Sequence, residues 1–222
     1  MMGLAPYGEP KYTNLIFKEL IDLNKKLEND INTKVVVYRS EGKNFSAGAD
    51  IKEQQKKLSK LQIWKSNLGK EAIESILKIN QITIASLRGY CLGGAACIAS
   101  ACDFRVASEN TLVAYPEIDL GMNLNWFGLP LLLRLIGPSK TKKMVVSGEI
   151  ENANDLFKWG FIDEIFNDEE LNKKTVALAK KYASKPTLPA QMIKRSVNAL
   201  TYQADQAIMH MDYDQFLLSR EF

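Results

Sequence analysis

Histidine is almost missing from this chain: its 222 residues include one, His210, near the C-terminus, where a surface position is the default. Cysteine is scarce and odd in number. Cys91, Cys97 and Cys102 fall in one segment of small apolar residues, which excludes a disulfide framework and reads as reduced, buried thiols of a cytoplasmic protein. No long hydrophobic run exists. The longest, near 129–136, is broken by Pro130 and Arg134, well short of the roughly 20 apolar residues that cross a bilayer. No basic start followed by an apolar run lies between Met1 and Lys11, so a secretory signal is not expected. Charge is nearly balanced. Lys plus Arg is 29 and Asp plus Glu is 26, a net +3 that is too mild for a nucleic-acid partner. Internal repeats and low-complexity tracts are absent. What remains is ordinary: 46% hydrophobic and 25% charged residues, a globular composition. The length fits one large domain, or one with an appendage, at about 150 residues per domain.

Apolar residues at helical spacing predict a helix over Asn14 to Leu27. Val35 to Tyr38 and Ile82 to Leu87 are β-branched, non-alternating runs, the pattern of strands covered on both faces. Between them, 41–50 reads as turn and loop, and 51–80 as mostly helical, with Ser59 or Ser66 as caps. Gly89 to Gly94 turns the chain into a helix of small residues, Ala95 to Ala101. Strands are expected at 103–107, 111–115 and 161–165. Helices are expected at 129–136, with Gly137-Pro138 as its stop, and at 139–146, 152–159, 169–184 and 189–199. Alternating strands and helices make the fold class α/β.

Three stretches have the makings of a chemical site. Phe45-Ser46-Ala47-Gly48-Ala49-Asp50 follows one buried strand. Gly89-Tyr90-Cys91-Leu92-Gly93-Gly94-Ala95 follows another and opens a helix. Glycine admits close approach of a ligand to the backbone, and a helix start presents free N–H groups. Two such donors from two loops can hold an oxyanion. The competing reading is plain turn and packing geometry. The third stretch is Tyr115-Pro116-Glu117-Ile118-Asp119-Leu120-Gly121. A carboxylate beside proline among apolar residues can have a raised pKa and act as a base; a solvated loop acid is the bland alternative.

Taken in order, Phe-Ser-Ala-Gly-Ala-Asp-Ile-Lys (45–52), Gly-Tyr-Cys-Leu-Gly-Gly-Ala (89–95), Ala-Cys-Asp-Phe-Arg-Val-Ala (101–107), Pro-Glu-Ile-Asp-Leu-Gly (116–121) and Leu-Ile-Gly-Pro-Ser-Lys (135–140) resemble the crotonase, or enoyl-CoA hydratase/isomerase, superfamily over roughly residues 20–200. The resemblance implies stacked ββα turns, a crotonase-like superhelix, followed by a helical trimerisation region. The implied divisions are 1–19 as an atypical start, 20–137 as the core with the acyl-CoA site, and 138–222 as the oligomerisation region. It implies a homotrimer or dimer of trimers acting on acyl-CoA thioesters. CoA belongs to the substrate; no other cofactor, metal, nucleic acid or membrane is implied. The oxyanion donors would be the N–H groups of Ala49 and Gly94, with Ala49, Asp50, Ile51 and Lys52 lining the CoA site.

Hydratases of the family hold water between two Glu residues. Their positions match Cys97 and Glu117 here, so one carboxylate is missing. Family isomerases carry one Glu at the position of Glu117. This favours a double-bond shift in an enoyl-CoA through a thioester enolate, with Glu117 as the catalytic residue. Hydration, acyl-CoA decarboxylation and a non-catalytic acyl-CoA binder are the alternatives. Cys97, amid Ala95, Ala96, Ile98 and Ala99, reads as a small buried hydrophobe. Asp119, which could also assist, reads as structural or solvent-facing, and Asp103 as structural. Two departures stand out. Trp126 and Phe127 occupy a turn that is usually glycine-rich, either reshaping the acyl pocket or simply packing. Residues 1–12 resemble a short segment of natural-product O-carbamoyltransferases.

Overall fold

The computed structural model describes residues 3–4, 10–11, 14–48, 59–65, 67–203, 205 and 211–219. The chain opens with two antiparallel strands, β1 (Gly3–Leu4) and β2 (Pro10–Lys11). The predicted first helix is α1 (Asn14–Glu28), which buries Phe17, Ile21 and Asn24. Asn24 donates to Ser75 Oγ at 2.8 Å and accepts from the Tyr38 hydroxyl at 2.8 Å, pinning α1 to its neighbours. Next come β3 (Val35–Tyr38), α2 (Lys60–Lys65) and α3 (Leu68–Lys78). Ser59 Oγ accepts from Gln62 N at 3.3 Å. The cap of α3 is Asn67, whose side chain accepts from Lys70 N at 3.2 Å; Ser66 lies outside the described residues, as do 51–58.

Two sheets carry the core. The strands β4 (Ile82–Leu87), β5 (Tyr90–Leu92), β6 (Phe104–Ser108) and β7 (Leu112–Ala114) come in pairs, one strand to each sheet. Between the pairs runs α4 (Gly94–Ala101), every residue of which is buried. After β7 comes a 3₁₀ turn, Pro116–Leu120. Then follow α5 (Gly128–Ser147), β8 (Glu151–Asn152), α6 (Ala153–Trp159), β9 (Glu164–Phe166), α7 (Asp168–Ala183), α8 (Thr187–Thr201) and α9 (Asp212–Ser219). The larger sheet is all parallel in the order β3-β4-β6-β9. The smaller runs β5-β7-β8, parallel then antiparallel. Strand, strand, helix is therefore the repeating unit, and both sheets take a strand from beyond residue 137.

Two expectations need adjustment, and one between them holds. Tyr90–Leu92 is a strand rather than part of a turn, because it pairs with β7, 22 residues further on by register (Tyr90 with Leu112). The expected stop at Gly137-Pro138 is present: Gly137 has φ 72° and ψ 171°, outside the helical region, so α5 is two helical segments meeting at a kink there. The last strand starts at Glu164 because Phe161 N and Ile162 N both close α6 by donating to Leu156 O. Asp103 is structural. Its Oδ2 accepts from Thr83 N and Oγ1 at 2.8 and 2.9 Å and pairs with Lys194 Nζ at 2.8 Å. No described helix is long and apolar enough to cross a membrane.

Candidate active site

The first loop and the second meet through the smaller sheet. Ser46 forms a parallel bridge with Cys91: Ser46 N donates to Tyr90 O, and Leu92 N to Ser46 O, both at 3.0 Å. This brings Gly48 against the start of α4. Gly48 has φ 91°, and a Cβ there would stand 2.7 Å from Leu92 O and 3.6 Å from Gly94 N. Only glycine fits such a position. The predicted donor Ala49, with Asp50, Ile51 and Lys52, lies outside the described residues. Gly94 is described, and it is the first residue of α4; no side chain caps that helix, so the orphan N–H groups of its first turn are available to an anion.

Glu117 is set by the neighbouring 3₁₀ turn. Tyr115, fully buried, anchors that turn by a 2.7 Å hydrogen bond with Ser100 Oγ and by donating to Ala96 O at 3.3 Å, both on α4. Pro116 then starts the turn. The Glu117 carboxylate reaches back over the helix start: a Cβ on Gly93 would lie 3.1 Å from Glu117 Oε1. Its Oε2 is buried and has no hydrogen-bond partner among the described residues. Burial pushes the carboxyl up to about 7, with a backbone hydrogen bond pulling slightly the other way. A buried oxygen without a partner costs stability, and such a cost is typical of a group kept for chemistry.

Gly48, Gly94, Cys97, Glu117, Trp126 and Phe216 all line one pocket of about 130 Å³. Cys97 is buried, its Sγ is 3.9 Å from Asn125 O, and a Cβ on Gly128 would lie 2.8 Å from that sulfur. Burial, then the charge of Glu117, hold the thiol well above its ordinary range. The thiolate needed for nucleophilic attack is therefore suppressed. Asp119 is exposed, on the far side of the turn near Gly148, and His210 lies outside the described residues. Among the described residues no group of three or more His, Cys, Asp or Glu is placed to hold a metal.

Sequence reasoning missed part of the wall. Asn125 and Phe216 carried no signal, because each enters the site through tertiary packing. Hydrogen bonds tie helix α9 down beside the pocket. Phe127 N donates to Asp212 Oδ2 at 3.2 Å, Asn123 N to Ser219 Oγ at 3.0 Å, Asn123 Nδ2 to Gln215 Oε1 at 2.9 Å, and Trp64 Nε1 to Asp214 Oδ1 at 3.0 Å. Phe216 reaches the pocket from this helix.

Backbone N–H groups at the start of α4, beside the one carboxylate among the described residues lining an apolar pocket, form an arrangement that can stabilise a developing oxyanion. Comparison with known proteins gives the fold and the family. The fold matches an enoyl-CoA hydratase from Bacillus anthracis with a TM-score of 0.80 and 24% identity, over 95% of this chain and 81% of that one. An enoyl-CoA hydratase/isomerase from Pseudoalteromonas atlantica gives a TM-score of 0.86 at 18% identity, over 94% and 82%. In sequence, the mitochondrial enoyl-CoA hydratase of Pongo abelii is 35% identical over 202 residues, 89% of this chain and 69% of its own. The crotonyl-CoA hydratase of Syntrophomonas wolfei is 29% identical over 216 residues, 94% and 82%. The profile of the enoyl-CoA hydratase/isomerase family matches residues 12–220, and the chain belongs to that family. The likeness of residues 1–12 to O-carbamoyltransferases finds no support among these relatives.

Proposed function

We propose that the protein shifts the double bond of an enoyl-CoA by way of a thioester enolate. Glu117 takes a proton from the carbon next to the thioester carbonyl. The electron pair moves onto the carbonyl oxygen, where the N–H groups of Gly94 and Ala49 hold it. Collapse of the enolate carries the double bond into conjugation, and Glu117 returns the proton two carbons further along the chain. Nothing is oxidised or reduced, and the carboxylate ends as it began. The observation that carries this reading is the carboxylate of Glu117, the one acid among the described residues that line the pocket, with a buried and unpartnered oxygen; beside it Cys97 offers a thiol that burial keeps protonated. A raised pKa suits the role, because general acid–base catalysis works best with a group that titrates near the working pH.

Hydration of the double bond is the second reading. It is favoured by the relatives, which are called hydratases. It asks the same oxyanion site for an added water with Glu117 alone to activate it. Assaying one preparation for isomerisation of a 3-enoyl-CoA and for hydration of crotonyl-CoA separates the two. Isomerisation well above hydration supports the first; hydration without isomerisation replaces it. Substitution E117Q must collapse whichever rate is found while leaving CoA binding intact; an unaffected rate removes Glu117 from the chemistry, and binding without turnover in the native protein identifies a binder rather than an enzyme. Ile193, Val197 and Leu200, exposed on one face of α8, offer a surface for association as a trimer or pair of trimers.

A further inference from the structure

We infer that Trp126 sets the length of the acyl group, closing the pocket to all but short chains. The inference rests on the acyl-thioester reading above. The six-membered ring of the indole is wedged between two helices. A Cβ on Gly69 of α3 would lie 2.0 Å from Trp126 Cε2, and a Cβ on Gly94 of α4 would lie 2.0 Å from Trp126 Cζ3. Both positions are glycine, so the ring takes up the volume their side chains would fill. The cleft between α3 and α4 is thereby plugged next to Gly94, the residue whose N–H is to hold the thioester oxygen. An acyl tail leaving that thioester cannot continue into the cleft.

The plug is held firmly. Trp126 N donates to Asn125 Oδ1 at 2.6 Å, and Asn67 Nδ2 donates to the same oxygen at 3.5 Å. Beneath the ring, Phe17 meets it edge to face, with centroids 5.2 Å apart and planes at 80°. Trp126 and Phe127 have φ of 57° and 58°, two successive non-glycine residues in the left-handed region. Strain of this kind persists only where the surroundings over-determine it, and it gathers at ligand sites. Its effect here is to turn the indole inward. The room left is about 130 Å³, with Leu120, Met122 and Phe216 on its other sides. Pockets that enclose drug-sized ligands run to about 300–1,000 Å³.

Calorimetric titration with two saturated thioesters, butyryl-CoA and decanoyl-CoA, tests this without relying on turnover. The intact protein is expected to bind butyryl-CoA at least about tenfold more tightly, although the longer chain has more apolar surface to bury; steric limits of a methylene or more are worth about that much. Substitution W126G keeps a residue suited to the left-handed backbone and empties the cleft. It is expected to tighten decanoyl-CoA by about tenfold or more and to reverse the preference. W126F removes part of the ring and should move the ratio the same way by less, which keeps the test open should W126G fold poorly. Equal or tighter binding of decanoyl-CoA by the intact protein overturns the inference while leaving the acyl-CoA reading standing. A ratio unmoved in both variants also overturns it. Binding of neither thioester removes the acyl-CoA reading and this inference together.

Discussion

The two ends of the pocket are built in different ways. The polar end is made by backbone and one carboxylate: Gly48, Gly94 and Glu117 stand within a few residues of strand ends that pair in the smaller sheet. The apolar end is made by side chains drawn from far apart, with Trp126 on the approach to α5 and Phe216 on α9. The first is fixed by hydrogen-bond register, which leaves little freedom. The second is fixed by packing, which sequence can vary at modest cost. Chemistry is therefore expected to be brittle at one end and substrate range adjustable at the other.

The largest expected effect breaks the polar end. E117Q should lower turnover by about 10²–10⁴-fold, the usual worth of general acid–base catalysis, with acyl-CoA affinity changed little in titration. The same substitution should stabilise the protein at alkaline pH. The folded carboxyl is raised from 4.5 to about 7, so the native state holds a proton that the unfolded chain gives up. Stability contributed at this site is present below 4.5 and is lost as pH rises to about 7. The shift corresponds to about 3 kcal/mol. E117Q should recover part of it, raising Tm at pH 8 by about 2–4 °C for each kcal/mol recovered. A lower Tm at that pH would mean that the carboxylate is satisfied in solution.

Next in size is G48A. At φ 91°, with a Cβ 2.7 Å from Leu92 O, alanine forces the first loop away from α4. Strain of this kind costs about 1–3 kcal/mol, and loss of one oxyanion donor costs about 10²-fold or more in turnover. The check is kcat against KM: a fall in kcat with KM nearly constant marks a donor lost in the transition state. Smaller again is the pH profile. A base that titrates near 7 should make kcat/KM drop about tenfold for each pH unit below that value. A flat profile down to pH 5 would remove Glu117 from the role of base. The smallest effect is expected for C97A, a small buried group exchanged for another: turnover within about fivefold of wild type, and a stability loss of about 1 kcal/mol, ordinary for a single substitution. Loss of all activity in C97A would give the thiol a chemical part and blur the contrast between the two ends.

Much of the polar end was legible in the sequence because its parts are local. A β-branched run predicts a strand, glycines after it predict a close turn, and Pro116-Glu117 predicts an acid at a turn start. The strand at Tyr90–Leu92 escaped notice because three residues carry no periodicity, and only pairing with Leu112–Ala114 makes them a strand. Gly137-Pro138 reads as a stop and is one: the helix breaks at Gly137, with Ile136 and Met144 buried on either side of the kink. The apolar end was legible only as a departure: Trp126 and Phe127 replaced the residues expected in a tight turn. Which wall the indole closes depends on Gly69 and Gly94, 57 and 32 residues away in the chain, and no local pattern links them. Phe216 had no signal at all, since its place follows from bonds that α9 makes to Asn123, Phe127 and Trp64.

Isomerisation and hydration both place negative charge on the thioester oxygen, and removal of the neighbouring proton can be followed without a double bond. Butyryl-CoA is incubated with the protein in deuterium oxide, and loss of the proton signal beside the thioester is read by NMR. Exchange is expected at that carbon alone, catalysed by the native protein and abolished in E117Q. Absence of exchange with the native protein, or equal exchange in both, would contradict it.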